Sequence, residues 1–203
     1  MDDKATLHRY LRRLRADLLA KLDGLDEYDV RRPMTPTGTN LLGLVKHVAS
    51  VEIGYLGEVF GRPAAVDLPW FAGDAEPDAD LWVPAAETRE RVVALHRLSA
   101  EHSDATIEAL GLDAPGDVPW WGERRHVTLH QVLVHVCVET ARHAGHADIV
   151  RELIDRSAGN GADDANLTSR TEQEWAAHCA RIDAEARRAA GLTVRPGTSS
   201  GSG

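Results

Sequence analysis

The feature that most constrains this chain is the return of apolar side chains every three or four residues over four long segments. Leu7, Tyr10, Leu11, Leu14, Leu18, Leu19 and Leu22 keep that step through residues 3–23, which predicts an amphipathic helix ending near Asp23 and Gly24. A second helix is expected from Thr39 or Asn40 to Phe60, carried by Leu41, Leu44, Val45, Val48, Val51, Tyr55 and Val59 and stopped by Gly61 to Pro63. A third runs from about Ala85 to Leu110, and a fourth starts after Thr128 as N-cap and continues through Leu153 or Ile154. Thr171 and Glu174 have capping-box spacing and open a shorter helix to about Ala190. No strand signal competes. The expected fold class is all-α: a four-helix bundle with a short additional C-terminal helix, its long connections permitting a non-sequential up/down order.

The connections carry their own signals. Residues 62–84 hold four prolines, two aspartate-rich stretches and the aromatics Trp70, Phe71 and Trp82, which predicts a long, packed loop. A second connector, 111–127, contains Pro115, Gly116, Pro119 and the pair Trp120 and Trp121. One domain is expected over residues 1–190, with a disordered, low-complexity tail at 191–203.

Charge narrows the partners. The 23 basic and 32 acidic residues give a net charge of −9, so the overall field opposes nucleic acid and anionic membrane surfaces. No run approaches the roughly 18 apolar residues that a membrane-spanning helix requires. Cys137 and Cys179 give no disulfide framework, which fits a reducing, cytoplasmic setting. Bundle faces that serve as core also serve for self-association, so a homodimer is compatible with the pattern. The ten histidines are what composition leaves to be explained.

The fourth helix gathers several of them. With His135 set at zero and about 100° per residue, His146 falls near 20°, Glu139 near 40° and His143 near 80°. Leu129, Val132, Leu133, Val136 and Val150 lie between roughly 60° and 160°, so the polar stripe overlaps the core-facing side. Burying a carboxylate and imidazoles there is costly unless they are paired or ligate a cation. Glu139 and His143 are one turn apart and can share an ion, or can simply form a helix-surface pair. His47, on the face of Leu44, Val48 and Val51, points inward from the second helix. A His/Glu/His set suits zinc, nickel or iron and leaves positions open for water or substrate. His135 and His146 either orient such ligands or replace one of them. His8, His96, His102, His126, His130 and His178 follow no pattern. Cys137 falls near 200°, away from the stripe.

The segments Trp120 to Gly122, Val127 to Leu129 and Glu139 to Asp155, with Lys46-His47-Val48 on the second helix, resemble the DinB/YfiT-like superfamily of metalloenzymes. The likeness spans about residues 1–190 and lies nearest the branch related to mycothiol-dependent maleylpyruvate isomerase. It implies a four-helix bundle in up-down-down-up order with a metal triad at His47, Glu139 and His143. Many members have histidine where Glu139 stands, whereas the mycothiol-dependent branch uses His/Glu/His. Many relatives have glutamine at His146, and the isomerases carry a further C-terminal domain where this sequence offers one short helix after residue 170.

The activity that the resemblance implies is thiol S-transfer or thiol-dependent isomerisation. A divalent metal, zinc before nickel or iron, would hold a low-molecular-weight thiol such as mycothiol as thiolate for attack on an electrophile. His135, Arg142, His146 and Trp121, with Trp70, are then expected around the ligands or on the substrate side. The alternative is a dimeric, non-catalytic metal-binding bundle with a stress-response or binding role, in which a fourth side chain closes the coordination sphere.

Overall fold

The computed structural model describes residues 2–159, 164 and 166–192. It contains two compact units, 1–163 and 164–203. In the first unit the long helices are α1 (Asp3–Ala20), α3 (Leu41–Leu56), α4 (Arg89–Ala109) and α5 (Leu129–Asp155), and the short α2 (Glu27–Arg31) follows α1. In the second unit α6 spans Glu172–Ala189. Residues 193–203 of the expected tail lie outside the described residues.

The helix starts follow from local chemistry. Asp2, Asp26, Asn40, Thr88, Thr128 and Thr171 each accept a backbone N–H from the first turn of α1 to α6 in order, satisfying donors that the helix itself leaves orphaned. Thr128 with Gln131, and Thr171 with Glu174, close reciprocal capping boxes.

Two features depart from the sequence reading. Pro115–Asp117 (β1) and His126–Thr128 (β2) form a two-stranded antiparallel sheet where no strand is expected. Three residues per strand are too few for apolar alternation to register. The five-residue α2 is likewise too short to show a helical period. The long connector behaves as a packed loop over part of its length: Ala64, Val66, Leu68 and Trp70 cover Ala49, Ile53 and Leu95, and Trp70 Nε1 donates to Ser50 Oγ at 3.0 Å. Phe71 and Trp82 remain largely exposed.

α3 packs on α4 and α5, and α1 packs on α5 and α4. The interior holds two main apolar clusters with a polar layer between them. One gathers Leu18, Leu22, Leu42, Val45, Val48, Val92, Ala144 and Val150; the other gathers Leu11, Tyr55, Leu56, Ile107, Leu129, Val132 and Val136. Each fully buried aliphatic side chain contributes about 1.5–3 kcal/mol. Every long helix of this unit crosses from one cluster to the other over polar residues. Arg15 lies between Leu11 and Leu18, Glu52 between Val48 and Tyr55, Ser99 between Val92 and Ile107, and Glu139 between Val136 and Ala144. The candidate site belongs to this layer.

Candidate metal centre

α3 is anchored by the burial of Leu41, Leu42, Val45 and Val48 and by Asn40 Oδ1, which accepts from Gly43 N at 2.8 Å. That leaves His47, half-buried, on the side that meets α5. On α5, burial of Val132, Val136, Ala144 and Ala147 fixes the helix rotation, and Glu139 and His143 fall one turn apart at the seam.

The three side chains meet. His143 Nε2 lies 3.1 Å and His47 Nε2 3.6 Å from Glu139 Oε1, and the two imidazole rings stand edge to face at 4.7 Å. One potential ligand atom from each residue lies within 4.8 Å of the others, and among the described residues no other group of three or more His, Cys, Asp or Glu side chains does this. Bonds of about 2.0–2.1 Å at tetrahedral angles would separate neighbouring ligand atoms by about 3.3 Å, so 3.1 and 3.6 Å fit a shared small cation. The donor set fits as well. Glu139 has the two imidazoles as partners, and among the described residues no lysine or arginine pairs with it.

Electrostatics follows from this crowding. Burial alone would lower the His47 pKa, but the hydrogen bond and charge of Asp80, joined by Glu139, carry it above the ordinary histidine value. His143 is lowered, first by burial and then by the charge of His47. For Glu139, burial pushes upward, yet His143 and His47 hold the carboxyl below its usual range.

The remaining expected residues divide. His135 sits one turn before Glu139 with its ring 4.6 Å from Tyr55 and 4.9 Å from Trp121, and burial lowers its pKa. Trp120 and Trp121 both donate their indole N–H to the Tyr55 hydroxyl, at 3.1 and 3.0 Å. A cleft of about 690 Å³ opens beside this cluster, lined by Trp120, Trp121, Arg124, His126, Val127 and Gln131. His146 is exposed, its ring 5.4 Å from His143. Arg142 is exposed and makes no hydrogen bond or ion pair among the described residues. Trp70 lies on the α3–α4 side instead, beneath the Lys46 ammonium at 4.0 Å. Cys137 offers its thiol to Leu7 O at 3.7 Å, and burial pushes its pKa up, so it is no ready nucleophile.

Asp80 and Tyr55 are the neighbours that sequence reasoning leaves out. Tyr55 was within reach, because it stands two turns after His47 on α3. Asp80 was not: its carboxylate meets His47 Nδ1 at 2.5 Å across 33 residues of sequence, and nothing local separates it from the other loop aspartates.

A helical protein whose interior polar layer ends in a half-buried His/Glu/His cluster falls in the class of helical proteins built around a candidate metal centre. Residues 6–156 match the family described as mycothiol-S-transferase, and the chain belongs to that family. No curated protein matches it.

Proposed function

We propose that this protein is a divalent-metal-dependent thiol S-transferase that joins mycothiol to a small electrophile. The observation that carries the reading is the convergence of His47, Glu139 and His143 in a chain of this family. These three would hold the ion, with zinc the first choice for a nitrogen and carboxylate set. When bound, the cation would lower the pKa of a thiol and supply a nucleophile at neutral pH.

In the transfer the thiol sulfur forms a bond to the electrophilic carbon, the leaving group departs with its electron pair, and the thiol proton passes to solvent. The chain's own residues bind and orient. Tyr55, Trp120, Trp121 and His135 form a wall that fixes the substrate side, with neutral His135 able to accept a proton at its free nitrogen. His146 and Arg142 lie further along α5 and would meet the more solvent-exposed part of a ligand. The His47, Glu139 and His143 side chains keep 17%, 30% and 14% exposure, which suits exchange of substrate better than a fully buried structural site.

In this reading α1, α3, α4 and α5 form an up-down-down-up four-helix bundle within a single domain reaching to residue 190, and the protein works in the cytoplasm without nucleic acid or membrane, alone or as a homodimer. Among the described residues no helix is long and apolar enough to cross a membrane. The test is metal analysis together with a conjugation assay using mycothiol and a generic aryl halide. Stoichiometric zinc and conjugation that is lost in His47→Ala, Glu139→Ala and His143→Ala are expected. Metal without conjugation would return the chain to a non-catalytic metal-binding bundle, and absence of metal would remove the reading.

A further inference from the structure

The 62–84 connector comes back to α3 at residues 79–82, and four side chains or gaps on the first turns of that helix receive it. Asn40 Nδ2 donates to Leu81 O at 3.1 Å. Lys46, buried, donates through Nζ to Ala79 O at 3.0 Å and Trp82 O at 3.1 Å, and its charge is met by Glu87 Oε2 at 3.2 Å. Gly43 makes room: a Cβ there would lie 1.9 Å from Leu81 O. Between these fixings Asp80 Oδ2 meets His47 Nδ1 at 2.5 Å. Asp78, at φ 62°, turns the chain just before it, and Leu81 N closes the turn on Asp78 O at 2.9 Å.

Burying a lysine to hold two loop carbonyls is costly. A loop that only covered apolar surface would have no need of it. What the clamp fixes is the distance between one carboxylate and the back of one imidazole. A carboxylate accepting from Nδ1–H leaves Nε2 as the nitrogen with the free lone pair, and Nε2 is the atom turned to Glu139.

We propose that Asp80 is the positioning residue of the centre: held by Lys46, Asn40 and the Gly43 gap, it sets the ring orientation and tautomer of His47 so that Nε2 is the ligand atom. The proposal rests on the metal-site reading above and assigns a part of that site to a loop remote in sequence. The carboxylate never touches the ion; it acts through His47. Lys46 and Gly43 act one step further out, on the loop.

The experiment is a titration of the full-length protein with Co2+ alone and with Zn2+ in competition, applied to wild type, His47→Ala, Asp80→Ala and Asp80→Asn, with circular dichroism to confirm folding. Asp80→Ala is expected to weaken metal binding by about 10- to 100-fold and to change the visible Co2+ spectrum, which reports coordination geometry. Asp80→Asn keeps an acceptor oxygen without the charge and is expected to recover part of the affinity, remaining about fivefold weaker than wild type. Wild-type affinity and spectrum in Asp80→Ala, with binding abolished in His47→Ala, would overturn the role of Asp80 and leave the metal site standing. Should Asp80→Ala fail to fold, wild-type affinity and spectrum in Asp80→Asn would overturn it equally. A wild-type protein that binds neither ion would overturn both readings at once.

Discussion

Two polar groups share the interior layer, and they are closed in different ways. On the α1 side, Arg15 sets Nε 2.8 Å from Glu52 Oε2 and Nη2 2.7 Å from Oε1, while Nη1 reaches Asp104 at 2.6 Å. Asp104 also accepts from Arg12 at 2.8 Å and lies 2.7 Å from His8 Nε2, and Ser99 donates to Ala49 O at 2.9 Å. Each charge there has a protein counter-charge, and the Arg15 and Glu52 side chains are only 4% and 3% exposed. On the α5 side, His47 and His143 surround Glu139, which is 30% exposed and has no guanidinium or ammonium partner among the described residues. A network that carries its own permanent cation can be buried completely. One that lacks it stays partly exposed, within reach of a cation from solution.

Breaking the closed group should have the largest effect. Arg15→Ala leaves Glu52 buried without its counter-charge and is expected to cost about 3–5 kcal/mol in urea unfolding, whereas His47→Ala in metal-free protein should cost far less. Equal costs would mean that the two groups do not differ as described. Next comes the loop that carries Asp80. Gly43→Ala drives a methyl into the Leu81 carbonyl, with an expected cost of about 3 kcal/mol and weaker metal binding, measured by denaturation and by Co2+ titration.

The open group should respond to ions and the closed one should not. Zinc at a hundred times its dissociation constant is expected to stabilise wild type by about 2.7 kcal/mol, and to add nothing to Glu139→Ala. The smallest effect concerns acid. Burial pushes the Asp104 carboxyl up, but hydrogen bonds from Arg15, His8 and Arg12 hold it below the ordinary 3.8. Its contribution is therefore complete above pH 3.8 and fades as the pH falls through the lower native value. Asp104→Asn should cost about 1–2 kcal/mol at pH 7 and progressively less below pH 4, read from urea midpoints across pH. A difference that stays constant down to pH 2 would show that the carboxylate charge plays no part.

Helix positions were legible because each long helix buries one face over several turns, and that repetition is written in a single segment. The caps at Thr128 and Thr171 were legible for the same reason, since a cap reaches only three residues. The pairing of Glu139 with His143 is also local, one turn on one helix. His47 could be nominated from its inward face, but its register against α5 depends on how two helices pack. The β1–β2 pair, α2, Tyr55 and Asp80 lay beyond this reach, being either too short to show a period or related to their partners only through space.

By itself the sequence determined a helical chain of net negative charge and the one-turn pair Glu139 and His143, because periodicity, charge and one-turn spacing are properties of neighbours along the chain; His47 and the likeness to thiol enzymes came from a face and from motifs. Only the tertiary structure decided which nitrogen of His47 faces Glu139, that a loop aspartate stands behind it, and that the Arg15, Glu52 and Asp104 group carries its own counter-charges. Those outcomes depend on distances between segments that no local pattern encodes.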